Sequence, residues 1–211
     1  FTGCRPPRIK EIESVIDNLQ LGPLIAPLHK KDDKSKLEAW INGSERVQIK
    51  NLSQLQYHTI SNGTTDSLFS FLMRNKVIQM PKKMFHHNRQ ILQGKDCEVI
   101  DIEVGNIKHG SPVLLELPSP WYSDEYLQSI IKEAKGKNCY IAVDLSWLPA
   151  SMNNIEMDAL DVDEIFLGMN KCWPVHSLRP AVRWSKNRIN DSSFWLFWIG
   201  RFRRIVEEEA S

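Results

Sequence analysis

The stretch SNGTT, residues 61–65, stands directly before a helical pattern and could bind an anion at the start of that helix. The first N–H groups of a helix have no partner within it, and the helix dipole favours negative charge there. Gly63 lets the backbone approach a ligand closely, and the hydroxyl groups of Thr64 and Thr65 add hydrogen-bond donors. A turn with an ordinary helix cap accounts for the same residues, so a cap and a phosphate site are both open.

Three charged residues follow or begin apolar runs in the second half of the sequence. Asp144 ends the run IAVD, Lys171 comes just after EIFLGM, and Arg179 lies eight residues beyond that lysine. A partly buried lysine is a reactive amine because burial disfavours its charged form. The arginine guanidinium group can bind a phosphate through paired hydrogen bonds. Ordinary roles are open as well: a capping or buried aspartate, and a lysine whose stem covers apolar surface while its amine stays in water.

Together these groups predict a single ligand. Its phosphate would lie at Gly63, Thr64 and Arg179. Its protonated ring nitrogen would face Asp144, and its carbonyl group would react with Lys171. Pyridoxal 5'-phosphate carries all three groups, and enzymes hold it through a lysine and an acidic partner of the ring nitrogen. We therefore expect pyridoxal 5'-phosphate as the cofactor.

The elements that would position these residues are short strands alternating with helices. Several apolar runs are apolar on both faces, as in a sheet that helices cover on each side. The alternation indicates a mostly parallel sheet, which binds ligands at the carboxyl ends of its strands. We expect an α/β three-layer sandwich with about seven strands. The predicted strands are residues 57–61, 77–81, 97–104, 113–118, 139–146, 164–169 and 179–185.

Two helical patterns lie between these strands. The first puts Leu68, Phe69, Leu72 and Met73 on one apolar stripe. The second opens at Ser123 with early acidic residues, as a capped helix does. About eight residues join the third and fourth strands, which is short for a helical crossover, so a loop or a locally antiparallel pairing is expected there. The second helix is predicted to bury Leu127, Ile130, Ile131 and Ala134.

The chain divides into three predicted segments. A helical or extended segment covers residues 1–50, with a helix over 8–19; the α/β domain covers 51–190, and an amphipathic helix covers 191–211.

The 27 basic and 26 acidic residues give a net charge of +1, which favours neither nucleic acid nor a membrane surface as a binding partner. No apolar run approaches membrane-spanning length, and the four cysteines are scattered without metal-ligand spacing. These features predict a cytoplasmic protein without a metal site.

The sequence resembles the large domain of fold-type I pyridoxal-phosphate enzymes, the aspartate aminotransferase superfamily. The resemblance is carried by SNGTTDSL, YIAVDLSW, DVDEIFLGMNK and Arg179, and it spans roughly residues 57–185. It implies that Lys171 bonds covalently to the cofactor and that Asp144 is the partner of the ring nitrogen. It implies a homodimer too, because active sites of this family usually lie at a subunit interface. The implied phosphate ligands are Gly63, Thr64 and Thr65.

The branch of the family is open. Arg179, eight residues after the lysine, fits the aminotransferases. GTTDSL and FHHNRQ look more like the cysteine desulfurase branch, in which a histidine stacks on the cofactor ring. Phe85, His86 or His87 could be that stacking residue, although His86 and His87 fit an exposed loop equally well.

The sequence also departs from the family pattern. Trp147 stands where aminotransferases often have a tyrosine that bonds the cofactor's phenolic oxygen, and an indole N–H can only donate. The asparagine-proline-threonine-glycine motif is absent, and Ser119 and Trp121 are the nearest substitutes. No counterpart of the small domain follows the predicted sheet, so a degenerate member and a piece of a longer chain are both open. Arg183, Arg188 and Trp121 are alternatives for contacting the substrate.

Three functions are open on these grounds. The first is a pyridoxal-phosphate-dependent aminotransferase that acts on a small-molecule amino substrate, either an amino acid or an amino sugar. The second is a non-catalytic relative that serves as a binding or regulatory module. The third is an unrelated α/β protein in which Lys171 and Asp144 are structural.

Overall fold

The computed structural model describes residues 39, 41–43, 47–93, 96–151, 154–168 and 180–189. The predicted helix over 8–19, Lys171, Arg179 and the C-terminal segment 191–211 lie outside the described residues. In chain order the elements are β1 (Val47–Lys50), β2 (Tyr57–Asn62), α1 (Thr64–Arg74), β3 (Val77–Pro81), α2 (His86–Gln93), β4 (Glu98–Ile102), β5 (Val113–Glu116), α3 (Asp124–Gly136), β6 (Ile141–Asp144), β7 (Ile155–Asp158), β8 (Glu164–Gly168) and β9 (Pro180–Ser185).

All seven predicted strands form one sheet, in the order β2-β9-β8-β6-β5-β3-β4. The neighbours from β8 through β4 are paired in parallel. β9 is antiparallel both to β8 and to β2, so β2 runs in the same direction as β8. The prediction of a mostly parallel, seven-stranded α/β sheet is therefore confirmed. We call the end where these six like-directed strands finish the carboxyl edge, and the opposite end the amino edge.

Helices or short strands cover both faces of this sheet, which gives the predicted three layers. Leu114, Ala142 and Phe166 point to one face and pack in a cluster with residues of α1 and α2. Their neighbours along the same strands, such as Leu115 and Val143, pack on the other face with α3. Successive residues of a strand point to opposite faces, and these strands are apolar at each position, so both faces are buried.

The helix predicted to open at Ser123 is confirmed as α3. The Ser123 hydroxyl accepts a hydrogen bond from the Tyr126 N–H at 3.3 Å, and acidic residues occupy the first turn. Both features stabilise a helix start. Among the described helices, none is long and apolar enough to cross a membrane. The four residues predicted to be buried are buried: Leu127, Ile130, Ile131 and Ala134.

The stripe predicted for α1 is half wrong. Leu68 and Leu72 are buried, but Phe69 and Met73 are 45% and 46% exposed. The buried face instead includes Ser67 and Phe71, one position away. Residues 67, 68, 71 and 72 follow the same three- and four-residue spacing as the predicted stripe. The apolar pattern is therefore compatible with either of two neighbouring helix faces. Contacts of α1 with β2 and β8 determine which face is buried.

The short link between the third and fourth predicted strands is a loop, residues 103–112, and its strands are parallel. β4 and β5 lie on opposite sides of β3, so the loop has to cross that strand without a helix. The buried Gln79 side chain of β3 holds the crossing: its amide nitrogen donates to the carbonyl oxygens of Lys108 and Ser111 at 2.9 and 3.0 Å. Its amide oxygen accepts from the Lys108 N–H at 2.6 Å. The antiparallel alternative is wrong.

A second, two-stranded sheet was not predicted. β1, at the end of the segment 1–50 that was expected to be helical or extended, pairs in parallel with β7. The sequences VQIK and IEMD alternate apolar and polar residues, which is the signal of a half-buried strand. Each strand has only four residues, the shortest run in which such alternation can be recognised, so the pattern was not identified as a strand. Ile49, Ile155 and Met157 point into the core on the α3 side of the large sheet.

Candidate functional site

The predicted anion site lies at the carboxyl edge, where β2 ends and α1 begins. Gly63 has φ +100°, a conformation that residues with a side chain rarely adopt. The buried Ser61 hydroxyl fixes this turn by bonding the Gly63 carbonyl oxygen and the Ser67 hydroxyl, each at 2.9 Å. Thr64 and Thr65 form the first turn of the helix. The turn therefore presents the amino end of an eleven-residue helix at this edge.

Asp144 is brought to the same turn by a serine that sequence reasoning missed. Its Oδ1 accepts hydrogen bonds from the backbone N–H of Ser146, at 2.9 Å, and from the Ser146 hydroxyl. The Ser146 hydroxyl oxygen lies 2.7 Å from Oγ1 of Thr64. A carboxylate can only accept, so a Ser146 hydroxyl that donates to Asp144 accepts from Thr64. One hydroxyl group thus links the predicted acid to the predicted phosphate site.

A second carboxyl group, that of Glu116, stands beside Asp144. Glu116 and Asp144 are the last residues of β5 and β6 and are paired directly. Glu116 is only 5% exposed. Its carboxylate accepts from the Phe85 N–H at 2.9 and 3.0 Å and from the Asn88 side-chain amide at 2.9 Å. Burial, with the nearby Asp144 charge, raises the pKa of Glu116 to about 8.

Three aromatic or imidazole side chains proposed from the sequence follow strands that end at this edge. His86 is exposed in the first turn of α2, with its ring centroid 4.9 Å from that of Phe85. It is therefore part of a helix and not of the loop considered as an alternative. Trp147 is 38% exposed and Trp121 is 41% exposed. The loops after β3 and β5 are joined, since the Tyr122 hydroxyl accepts from the Lys83 N–H at 3.1 Å.

Of the two arginines considered for the substrate, one is buried in an ion pair and the other follows the end of β9. Arg183 is 2% exposed, and its Nε is 3.8 Å from a carboxylate oxygen of Glu164, the first residue of β8. Arg183 lies in the same row of the sheet as Asp144, since both pair with Phe166 of β8, but its guanidinium group is directed towards Glu164 at the amino edge. Arg188 follows the end of β9 at the amino edge too, because β9 runs antiparallel. Burial in this ion pair disfavours a substrate contact by Arg183, and the same role for Arg188 stays a prediction.

Sequence reasoning found part of this arrangement. Gly63, Thr64 and Asp144 are together at one edge, as expected, and Lys171 and Arg179 lie outside the described residues. Ser146 and Glu116 were missed, although Glu116 ends the apolar run VLLE as Asp144 ends IAVD. That shared signal could have revealed Glu116. Within the described part of the chain, no group of three or more histidine, cysteine, aspartate or glutamate residues could hold a metal ion.

Comparison with solved structures identifies the fold. Cystalysin from Treponema denticola, described with a pyridoxal 5'-phosphate cofactor, superposes with a TM-score of 0.63 at 14% identity, over 87% of this chain and 53% of that one. The aminotransferase AspB from Helicobacter pylori gives 0.63 at 14% identity, over 87% and 58%. The pyridoxal-phosphate-bound C–S lyase from Staphylococcus hominis gives 0.58 at 9% identity, over 85% and 52%.

The fold is therefore that of the fold-type I pyridoxal-phosphate enzymes, in agreement with the resemblance seen in the sequence. This chain spans between one half and three fifths of the length of each of these three proteins. No family model matches the chain. No curated protein matches it by sequence either.

Proposed function

We propose that this protein binds pyridoxal 5'-phosphate at the carboxyl edge and acts as an aminotransferase-like enzyme on a small amino substrate. The observation that carries the proposal is the link from Asp144 through Ser146 to Thr64. It brings an acid for a ring nitrogen and a helix start for a phosphate to the same edge. The fold shared with cystalysin and AspB supports the proposal.

The chemistry of the described residues fits this cofactor. Gly63 has a buried backbone with positive φ and carries no side chain between its turn and a ligand. The helix start favours an anion because of its N–H groups and dipole. At the other end, the carboxyl groups of Asp144 and Glu116 stand side by side, an arrangement that favours a cationic partner. A ligand with a phosphate and a protonated ring nitrogen matches both ends.

The chain connections limit how far the predicted lysine and arginine can lie from the carboxyl edge. Gly168 ends β8 and is paired with Ala181 of β9 at the carboxyl edge. Lys171 is three residues beyond Gly168 in the sequence, so its Cα lies within about 11 Å of that residue at full extension. Arg179 directly precedes β9, which starts at the same edge. These limits support Lys171 as the covalent attachment point and Arg179 as a phosphate ligand.

Each residue then has a definite task. When bound, pyridoxal phosphate supplies an electron-accepting ring for chemistry at the substrate's amino-bearing carbon. Asp144, oriented by Ser146, would keep the proton on the ring nitrogen. Lys171 would bond to the cofactor and, once displaced by a substrate amine, would act as a general base. Gly63, Thr64, Thr65 and Arg179 would hold the phosphate, and His86 and Trp147 would contact the ring and its phenolic oxygen.

The test is covalent trapping of the cofactor. Wild-type protein incubated with pyridoxal phosphate should turn yellow, and borohydride should attach the cofactor to the peptide that contains Lys171. Lys171→Ala should abolish the visible band and the labelled peptide. Lys83→Ala removes an exposed lysine from the loop after β3 and serves as the matched control, so it should retain both.

Three results would contradict parts of this proposal. A colourless wild-type protein would exclude the cofactor. Colour retained by Lys171→Ala would mean that another lysine holds it. A yellow protein whose spectrum does not change on adding any amino acid would favour the non-catalytic binding module over the enzyme.

The proposal extends to assembly and location. We propose a homodimer, as the family resemblance implies, with a complete site formed by two copies. Sedimentation equilibrium of the cofactor-loaded protein measures this directly, and a monomer at high concentration would argue against a shared site. A cytoplasmic location is proposed from the scattered cysteines.

A further inference from the structure

Glu116 is assigned no contact with the cofactor in the proposed chemistry, yet it lies next to Asp144. The two side chains leave paired residues of neighbouring parallel strands, so they point to the same face of the sheet. This is the face covered by α1 and α2, because Leu114 and Ala142, two residues earlier on each strand, pack there. Glu116 therefore lies between the end of β6 and the start of α2.

Both oxygens of Glu116 are used to hold that helix start. The Phe85 N–H donates to both, at 2.9 and 3.0 Å, and the side chain of Asn88 donates to Oε1 at 2.9 Å. Asn88 is 1% exposed. A second bond closes the turn, from the Asn88 N–H to the Phe85 carbonyl oxygen at 3.0 Å.

We propose that Glu116 is a positioning residue that anchors the start of α2 beside Asp144 and thereby fixes where Phe85 and His86 lie relative to the cofactor site. The inference rests on the proposed function for its ligand. Glu116 is not placed to contact that ligand, because it is buried and its oxygens are bonded to protein groups. It acts through the segment 84–89 that it holds.

The anchor matters because the positions of the Phe85 and His86 rings depend on the backbone that it holds. Phe85 and His86 are both exposed and their rings are 4.9 Å apart. An exposed ring pair that has to meet a planar ligand depends on its backbone for position. Here that backbone is tied through one side chain to the strand next to the Asp144 strand. A loss of the tie should therefore move the rings without removing them.

The anchor is tested first by hydrogen exchange of the full chain without added cofactor. Glu116→Leu removes both acceptors and should speed exchange of the amides of residues 84–89 by at least about tenfold. Glu116→Gln keeps one acceptor oxygen and the side-chain shape, so it should give a smaller increase of about threefold. If Glu116→Leu does not fold, the glutamine variant decides. Exchange equal to wild type in the folded variants would overturn the anchor.

Glu133 offers the matched control. Its carboxylate also receives backbone N–H groups from a loop, those of Gly105 at 2.6 Å and Ile107 at 3.3 Å, and it also bonds Lys137. It lies on α3, on the other face of the sheet. Glu133→Leu should speed exchange around residues 105–107 and leave residues 84–89 unchanged. Faster exchange at 84–89 in this variant would show general loosening and contradict a specific anchor.

The second readout is the bound cofactor itself. Circular dichroism in the visible band of added pyridoxal phosphate reports how rigidly the protein holds the ring. Glu116→Leu should lower that signal at least about twofold and raise the Kd about tenfold, with partial recovery in Glu116→Gln and no change in Glu133→Leu. An unchanged signal and Kd, in a variant with faster exchange at 84–89, would overturn the positioning role. A wild-type protein that takes up no cofactor would instead refute the proposed function, and the exchange data would still decide on the anchor.

Discussion

The two edges of the sheet each bury a glutamate, and the surroundings of the two differ. At the amino edge, Glu164 has no exposed surface and contacts Arg74 and Arg183. The Tyr140 hydroxyl donates to it as well, at 3.1 Å. At the carboxyl edge, the hydrogen bonds to Glu116 come from the neutral donors of Phe85 and Asn88. A buried carboxylate is thus paired with cations at one edge and stands beside another carboxyl group at the other.

The pKa values follow from this difference. Burial raises the pKa of Glu164, and the positive charges of Arg74 and Arg183 act against the rise. Burial also raises the pKa of Glu116, but the negative charge of Asp144 acts in the same direction. The amino edge therefore has the composition of a structural ion cluster. The carboxyl edge favours a positively charged ligand, since added positive charge would relieve both acids.

The largest expected effect is at the amino edge. Glu164→Ala leaves Arg183, which is 2% exposed, without its carboxylate, so the free energy of unfolding should fall by about 3–5 kcal/mol. Urea titration followed by circular dichroism measures this loss. Cofactor binding by the folded fraction should be unchanged. A loss below about 1 kcal/mol would mean that the ion cluster is not what stabilises this edge.

The next effect is the pH dependence of stability at the carboxyl edge. The pKa of Glu116 rises from 4.5 to about 8 on folding, so between these pH values the folded state keeps a proton that the unfolded state releases. The free energy of unfolding should therefore fall as pH rises from about 4.5 to 8. We expect roughly 3 kcal/mol, less than the full pKa difference would give because the site can relax and admit water.

Urea titrations at pH 5, 6, 7 and 8 on wild type and Glu116→Gln measure this contribution, because other titrating groups cancel in the difference. The wild type should lose stability relative to the variant across this range. A difference that stays constant with pH would show that Glu116 has an ordinary pKa, and the contrast between the two glutamates would then be wrong.

The smallest effect concerns the link between Asp144 and Thr64. Ser146→Ala removes the shared hydroxyl and should lower the free energy of unfolding by about 1 kcal/mol. The Kd for pyridoxal phosphate should rise by about tenfold, because the acid and the helix start lose their common partner. Spectroscopic titration measures the Kd. Ser129→Ala, which removes an exposed hydroxyl bonded to the Glu125 carbonyl oxygen, should change neither quantity appreciably; an equal effect would refute a specific link.

The sheet was predictable from the sequence because its strands are buried on both faces. Runs such as VLLELP and CYIAVDLS leave no polar face, so their identity as inner strands depends little on context. The face of α1 was not predictable in the same way, since Phe69 and Met73 fit the helical period as well as Phe71 does. Tertiary contacts settled that choice.

The site was predictable only where a signal is local. Gly63 and Asp144 can each be recognised from adjacent residues, a turn in one case and a strand end in the other. Ser146 bonds a residue 82 positions away, and the burial of Arg183 against Glu164 depends on the pairing of β8 with β9, which cannot be read from either strand alone. Strand order and direction are long-range properties, so residues whose roles depend on them were missed or misplaced.

The position of β9 also determines when β2 can join the sheet. β2, which leads into the Gly63 turn, has β9 as its strand neighbour in the sheet. The Asp144 side of the sheet, from β8 to β4, is complete in strand pairing by residue 168. During synthesis, therefore, β2 can be hydrogen-bonded into the large sheet only after residues 180–185 have been made, although it precedes them by more than a hundred positions in the sequence.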